Sequence, residues 1–461
     1  MHKMSLNNFK DLEAFNLSKK DKELFFKNRI NQLTLFHSKN SKNYKDFLKK
    51  FNFDFNKNNS LSQIPFLPAR IFKEIDLMSI PKKKIFKKIM SSGTTGSSFS
   101  KIYLDKLNAQ NQVVVLNKII KTKLYTLEAE TLLTGLKHPW CIAFLPDGAF
   151  FITEREGNLI LVDSSFRIKR NISLDSIPIY ARGQGGLFDV AIDQNFNKNN
   201  FVYISYNGKS ENGSWGTELV RAKFLNDRLS DITVLFKMQP KSRSNHHFGG
   251  RIVLNKQDEL FLTLGDRGKK EEAQRISSHH GSIVRINTNE TIPKNNPLEP
   301  QKQQFTKFSE IFSFGHRNVQ GIAIHPVTSE IWAHEHGPQG GDELNVIQSG
   351  KNYGWPVITY GVNYVIGTKI GEGTKKKGME QPIFTWIPSI GTSGLTFISG
   401  NTFTKWDNNL LIGGLKNGHL IRVALKENRI LEYEEIIQNR FGRIRDVRIG
   451  KDENIYLADL N

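Results

Sequence analysis

The sequence predicts an all-β six-bladed β-propeller over residues 124–461, preceded over residues 1–123 by a mainly α segment. Three observations predict it. A two-strand unit recurs six times after Tyr125. Glycine and phenylalanine are abundant, 36 and 32 in 461 residues, which suits short strands joined by tight turns. The texture of the chain also changes near Tyr125, from helix-spaced apolar residues to strand-like runs broken by Asp-Gly, Asn-Gly and Gly-Gly.

Each unit is an apolar strand, a polar turn and a second apolar strand. The first is Trp140–Phe144, turning at Asp147-Gly148 into Phe150–Ile152. The second runs Leu187–Ile192 to Val202–Ile204, and the third Arg251–Leu254 to Leu260–Thr263. The last three are Gly321–Ile324 to Glu330–Ala333, Gly394–Phe397 to Leu410–Gly413, and Arg445–Ile449 to Asn454–Leu457. Six units give roughly 55 residues each, the size of a four-stranded blade with loop insertions. A lone blade cannot bury both faces, whereas a ring of blades can. A large sandwich would not explain the recurrence.

The bulk numbers exclude several classes. The chain is long enough for two or three domains, and 38% hydrophobic with 24% charged residues fits a globular protein. One cysteine, Cys141, rules out an intramolecular disulfide and a cysteine-based zinc site. No apolar run is long enough to span a bilayer, and the first residues lack the apolar core of a signal peptide. The chain as written is therefore expected in the cytoplasm. The net charge is +20, of which about +16 falls on residues 1–123. Those lysines are scattered among asparagines with no nucleic-acid motif, so they read as a solvated helical surface and no nucleic-acid partner is expected.

Residues 8–60 read as helices, with Leu24, Phe25, Phe26, Ile30, Leu33, Leu35 and Phe36 at near-helical spacing. Pro65, Pro68 and Pro81 follow, then a glycine- and hydroxyl-rich loop, Ser91–Ser98, whose backbone N–H groups could hold phosphate oxygens. The run from Ala69–Lys73 through this loop to Lys101–Asp105 resembles LuxE-like acyl-protein synthetases. That resemblance implies a partial α/β adenylate-forming domain, without the base pocket or the later acidic residue. An ATP-dependent acyl ligase is thus an alternative function, with an inactive fragment preferred.

Polar residues cluster at the starts of the propeller units, where inner strands and their loops line one end of a central channel. Asn245–Arg251 carries His246 and His247, and a neutral imidazole is a natural base near pH 7. Phe314–Gly321 carries Arg317, which could face developing negative charge or bridge two blades. Lys416 lies in Gly413–Gly418, and Arg443 and Arg445 share one face of a strand. Three cations at one channel end call for an anion such as a polycarboxylate, unless each pairs locally, with Asp446 the obvious partner.

The order of further motifs is specific: Arg182–Leu187, Leu264–Gly268, Glu335–Asn345, Lys351–Pro356 and Gly442–Val447. From Leu136 to Asp459 the chain resembles the pyrroloquinoline quinone (PQQ)-dependent aldose sugar dehydrogenases of the glucose/sorbosone dehydrogenase family. The resemblance implies His247 as general base, with Arg317 and Asn318 beside the reactive quinone carbonyl. It implies Gln184 as a cofactor and substrate contact, and Lys416, Arg443 and Arg445 as cofactor anchors. It also implies calcium, with Gly337 and Pro338 as carbonyl ligands on the cofactor side and Glu343 and Tyr353 at a structural site. The implied partners are an aldose and an external electron acceptor, the implied assembly a monomer or homodimer, and the implied location the periplasm. The implied reaction takes the anomeric hydroxyl of an aldose to a lactone.

A calcium-dependent propeller lactonase and a non-catalytic binding propeller are the alternatives on the same fold. The final blade is expected to end one strand short, leaving an exposed edge. The joining of two unrelated segments reads as a fusion, natural or made by joining two genes.

Overall fold

The computed structural model describes residues 1–6, 19–54, 60, 63–65, 78–90, 101–104, 119–298 and 308–460. Two compact units divide the chain, one formed by Met1–Leu6 with Lys121–Asn461 and the other by Asn7–Ile120.

The larger unit is a six-bladed propeller. Five blades are four-stranded antiparallel sheets in consecutive strand order. Their inner strands are Pro139–Phe144, Leu187–Ile192, Gly249–Leu254, Val319–Ile324 and Thr392–Phe397. The sixth blade starts with Arg443–Ile449. The six recurring sequence units are thus the two innermost strands of the six blades. Their second strands are buried on both faces, as in Phe150–Glu154 and Leu410–Gly414. This is why they read as apolar runs rather than as alternation.

Apolar side chains fill the gaps between blades. Trp140, Phe151, Leu187 and Tyr206 belong to one such core, Leu219, Leu262 and Ile311 to the next, and Trp332, Leu395 and Ile421 to another. A second tie recurs around the ring, from a side chain near the inner edge of one blade to an inner-strand carbonyl of the next. Thr153 donates to Phe188, Ser205 to Gly250, Thr263 to Val319 and Ser393 to Ile444, all buried. Each bond satisfies a carbonyl that water cannot reach and contributes about 1 kcal/mol net.

All six inner strands slip register against their second strands near the starts, as at Leu187/Val190, Gly249/Ile252 and Thr392/Leu395. Bulges of this kind re-aim side chains. Here they occur where the inner strands leave the channel, so residues at that end turn from blade packing toward the cavity.

The sixth blade differs from the sequence expectation. The strand His2–Leu6 lies between Ile455–Leu460 and Thr126–Thr131, antiparallel to both. His2 pairs with Leu457 on one side and Thr131 on the other, and Met4 is fully buried. The edge expected to be bare is covered, and residues 1–6 belong to the propeller rather than to the segment that follows them. The physical reason is backbone pairing: an open edge offers unpaired N–H and C=O groups to any extended segment that reaches it. Asp459 fixes this strand, 3.3 Å from the His2 imidazole.

In the smaller unit, helices span Lys19–Asn40 and Lys42–Lys50, with Ser41 capping the second through Tyr44 N–H. A hairpin pairs Lys87–Met90 with Lys101–Leu104. Leu33, Leu35 and Phe36 are exposed while Thr34 and Ser38 are buried. The apolar residues read as a helical face run round the cylinder instead, because steps of two and one residues turn about 200° and 100°. A small core forms from Tyr44, Leu48 and Phe53. The Ser91–Ser98 loop and the Ala69–Lys73 run lie outside the described residues.

Candidate active site

At the end of the channel where the inner strands begin lies a cavity of about 1000 Å³. Gln184, Asn318, Pro338, Lys416, Arg443 and Arg445 all line it, with Trp140, Phe188 and Phe248 as apolar wall. Residues from all six blades therefore converge, as the clustering at unit starts predicts.

His247 is not itself among the lining residues; it precedes Phe248 and Gly249, which are, and lies between Gln184 and Asp266. Its backbone N–H donates to Gln184 Oε1 at 2.9 Å, and its Nδ1 lies 2.6 Å from Asp266 Oδ1. The other carboxylate oxygen of Asp266 accepts from the Trp355 indole at 2.8 Å, and Gly268 N–H adds a bond at 2.7 Å. An ionised carboxylate only accepts, so Nδ1 carries the proton and Nε2 keeps its lone pair. Burial pushes the His247 imidazole below its ordinary value, with Arg317 adding to the fall and Asp266 opposing it. Burial alone would raise the Asp266 carboxyl, but the bond to His247 and the charges of His247 and Arg317 hold it below the usual range. His246, its neighbour in sequence, is exposed.

The chain folds tightly here for a reason visible in its glycines. A side chain on Gly265 would place Cβ 2.1 Å from the His247 carbonyl oxygen, and Gly249 has φ +67°. Only glycine allows both the approach and the turn.

The opposite wall carries the cations. Among the described residues neither Lys416, Arg443 nor Arg445 forms an ion pair. Asp446, expected as their local partner, is committed elsewhere. Its carboxylate lies 3.0 Å from Arg251 and 2.9 Å from Arg448, and accepts from Ile142 N–H in the first blade. The strand slips register between Ile444 and Asp446, and Asp446 meets Arg251, Arg448 and the first blade while Arg443 and Arg445 line the cavity. Arg445 is held by Gln320 Oε1 at 3.0 Å and sits 5.7 Å over the Trp140 ring. Burial, then the nearby Arg251 and Arg443, lower its pKa to about 9. A buried cation without a counterion is costly, and a polyanionic ligand would remove that cost.

Arg317 donates to the His336 carbonyl at 3.1 Å and forms no ion pair among the described residues, so it does not bridge two blades by charge. It lines a small void of about 10 Å³ together with Gly337, Glu343 and Tyr353, which the sequence reading names as calcium ligands. Such a void holds one water-sized particle. Burial, then the neighbouring Glu335, pushes the Glu343 carboxyl well up. The Tyr353 hydroxyl is already engaged, donating to the Val346 carbonyl and accepting from Gln348 N–H. Among the described residues no group of three or more His, Cys, Asp or Glu is placed to hold a metal ion.

Asp266, Gln320 and Trp355 contact the candidate site residues or their partners, and sequence reasoning did not assign them. Asp266 and Trp355 stand in quoted motifs, Leu264–Gly268 and Lys351–Pro356, but an Asp in a glycine turn carries no mark of the imidazole it will meet.

The profile of the Glucose / Sorbosone dehydrogenase family matches residues 136–461. The chain belongs to that family. It is therefore an oxidoreductase acting on sugars. A second profile, Acyl-protein synthetase, LuxE, matches residues 7–136. Aldose sugar dehydrogenase YliI of Escherichia coli is 37% identical over 340 residues, covering 72% of this chain and 90% of its own. Quinoprotein glucose dehydrogenase B of Acinetobacter calcoaceticus is 25% identical, covering 74% and 86%. Among solved structures, the PQQ-bound aldose sugar dehydrogenase of Streptomyces coelicolor superposes with a TM-score of 0.59 at 26% identity, covering 72% of this chain and 90% of its own. Among the described residues no helix is long and apolar enough to cross a membrane.

Proposed function

We propose that this sugar dehydrogenase uses PQQ to oxidise the anomeric hydroxyl of an aldose to a lactone. One observation carries the reading: Lys416, Arg443 and Arg445 line the cavity without carboxylate partners, beside an imidazole already bonded to Asp266. A polycarboxylate of the PQQ class fits that charge. When bound, PQQ supplies the hydride acceptor.

The chain's own groups then have separate duties. Lys416, Arg443 and Arg445 hold the cofactor carboxylates. His247 Nε2 takes the proton of the anomeric hydroxyl, while Asp266 fixes the tautomer and stabilises the imidazolium that forms. Arg317 supplies positive charge, and Asn318 and Gln184 orient the bound partners. Gly337 and Pro338 could offer carbonyl oxygens to calcium on the cofactor side, since neither carbonyl accepts a hydrogen bond among the described residues. Glu343, with the Tyr353 carbonyl, would serve the structural calcium, because a cation relieves a buried carboxylate. Electrons leave to an external acceptor.

Dye reduction by the full chain loaded with PQQ and calcium tests the reading. Aldoses are expected to support it and His247→Ala to abolish it while PQQ stays bound. Near-normal activity in His247→Ala would remove the base assignment. A lactonase on the same fold would show lactone hydrolysis with no cofactor band in the visible spectrum. The segment before the propeller is expected to show no ATP–pyrophosphate exchange with a fatty acid.

A further inference from the structure

A buried guanidinium that the mechanism above does not use lies directly behind the base. Arg267 follows Asp266 in sequence and is 1% exposed. It donates to the carbonyls of His246, at 3.1 Å, and Ser244. Its guanidinium carbon lies 3.3 Å from the centre of the Phe248 ring. Three of its contacts are thus to residues 244, 246 and 248, alternate positions of the loop that carries His247. The Trp215 indole donates to the same Ser244 carbonyl at 2.8 Å.

We propose that Arg267 is a positioning residue, clamping the Ser244–Phe248 loop so that His247 keeps its bond to Asp266. The proposal rests on the reading of His247 as base. Three observations support it. His247 has φ +53°, and Arg267 itself has φ +56°. Non-glycine residues avoid this left-handed region, so the loop relaxes unless something holds it. A guanidinium is the side chain that can reach two carbonyls with a fixed fork and cover an aromatic face at once, which an ammonium cannot do. Finally, Arg267 has no ion pair among the described residues, and burial drags its pKa to about 9 against the opposing pull of Asp266. An apolar side chain of similar volume would serve packing at less cost. Retaining the cation fits a role in geometry rather than in stability.

The test compares the full chain with Arg267→Lys, Arg267→Met and His247→Gln. Proton NMR of the cofactor-free protein is read for the low-field Nδ1–H signal of the His247–Asp266 bond, which His247→Gln removes and so assigns. The PQQ-loaded protein is read for kcat and KM. Arg267→Met is expected to broaden or lose the signal and to lower kcat about tenfold, with KM for the aldose changed less than about twofold. Arg267→Lys should recover part of both.

The acid limb of kcat should also move to higher pH in Arg267→Met, because an imidazole released to water regains its ordinary affinity for protons. Asp266, Arg317 and His246 are the charged or titratable groups facing it. A wild-type signal in Arg267→Met overturns the proposal, whether or not kcat falls. If Arg267→Met fails to melt cooperatively, Arg267→Lys carries the same two readouts, and an unaltered signal with unaltered kcat overturns it there. Full turnover in His247→Gln would instead overturn the base assignment, while the NMR signal would still report on the clamp.

Discussion

The two walls of the central cavity treat charge in opposite ways. On one side the His247–Asp266 pair is fully bonded: His247 to Asp266, and Asp266 to Trp355 and Gly268. On the other, Lys416, Arg443 and Arg445 have no carboxylate, although Asp446 directly follows Arg445 in sequence. A site that is complete on one side and unsatisfied on the other separates its tasks. In the proposed mechanism the finished wall performs proton transfer and must be rigid before substrate arrives. The unfinished wall waits for an anion to complete it.

Substitutions can break this contrast from either side. His247→Ala should have the largest effect, lowering kcat by about 10² to 10⁴ with PQQ still bound, as checked by dye reduction and the visible spectrum. Asp266→Asn should follow, with kcat down about 10²-fold, because an amide can donate to Nδ1 and leave the proton on Nε2. On the cationic wall, Arg445→Met should weaken PQQ binding about tenfold in a fluorescence titration while leaving the melting temperature of the cofactor-free protein unchanged or raised. That sign is the sharp part, since removing a paired arginine lowers stability. The smallest effect concerns pH. Burial keeps the His247 imidazole below its ordinary value, and the base works when neutral, so the acid limb of kcat should fall below the ordinary histidine value near 6.5.

The propeller was legible because its signal repeats: six apolar strand pairs at similar spacing admit few architectures. The cationic wall was legible for a related reason, since Arg443 and Arg445 share a strand face whatever that strand touches. What stayed hidden depends on contacts distant in sequence. The strand His2–Leu6 is too short to stand out, and its partners Ile455–Leu460 are about 450 residues away. The hydroxyls of Thr153, Ser205, Thr263 and Ser393 look like ordinary strand residues until the neighbouring blade supplies a carbonyl. Asp446 illustrates the same limit, because adjacency in sequence suggested Arg445 and Arg443 while the folded blades gave it Arg251 and Arg448.

A titration of the full chain with PQQ in the presence of calcium, followed by tryptophan quenching at two salt concentrations, tests the unfinished wall most directly. Saturable binding of one PQQ per chain is predicted, weakened by salt and weakened further when Arg443 and Arg445 are both changed to Gln. Binding that is indifferent to salt and to both arginines, or no binding at all, would contradict it.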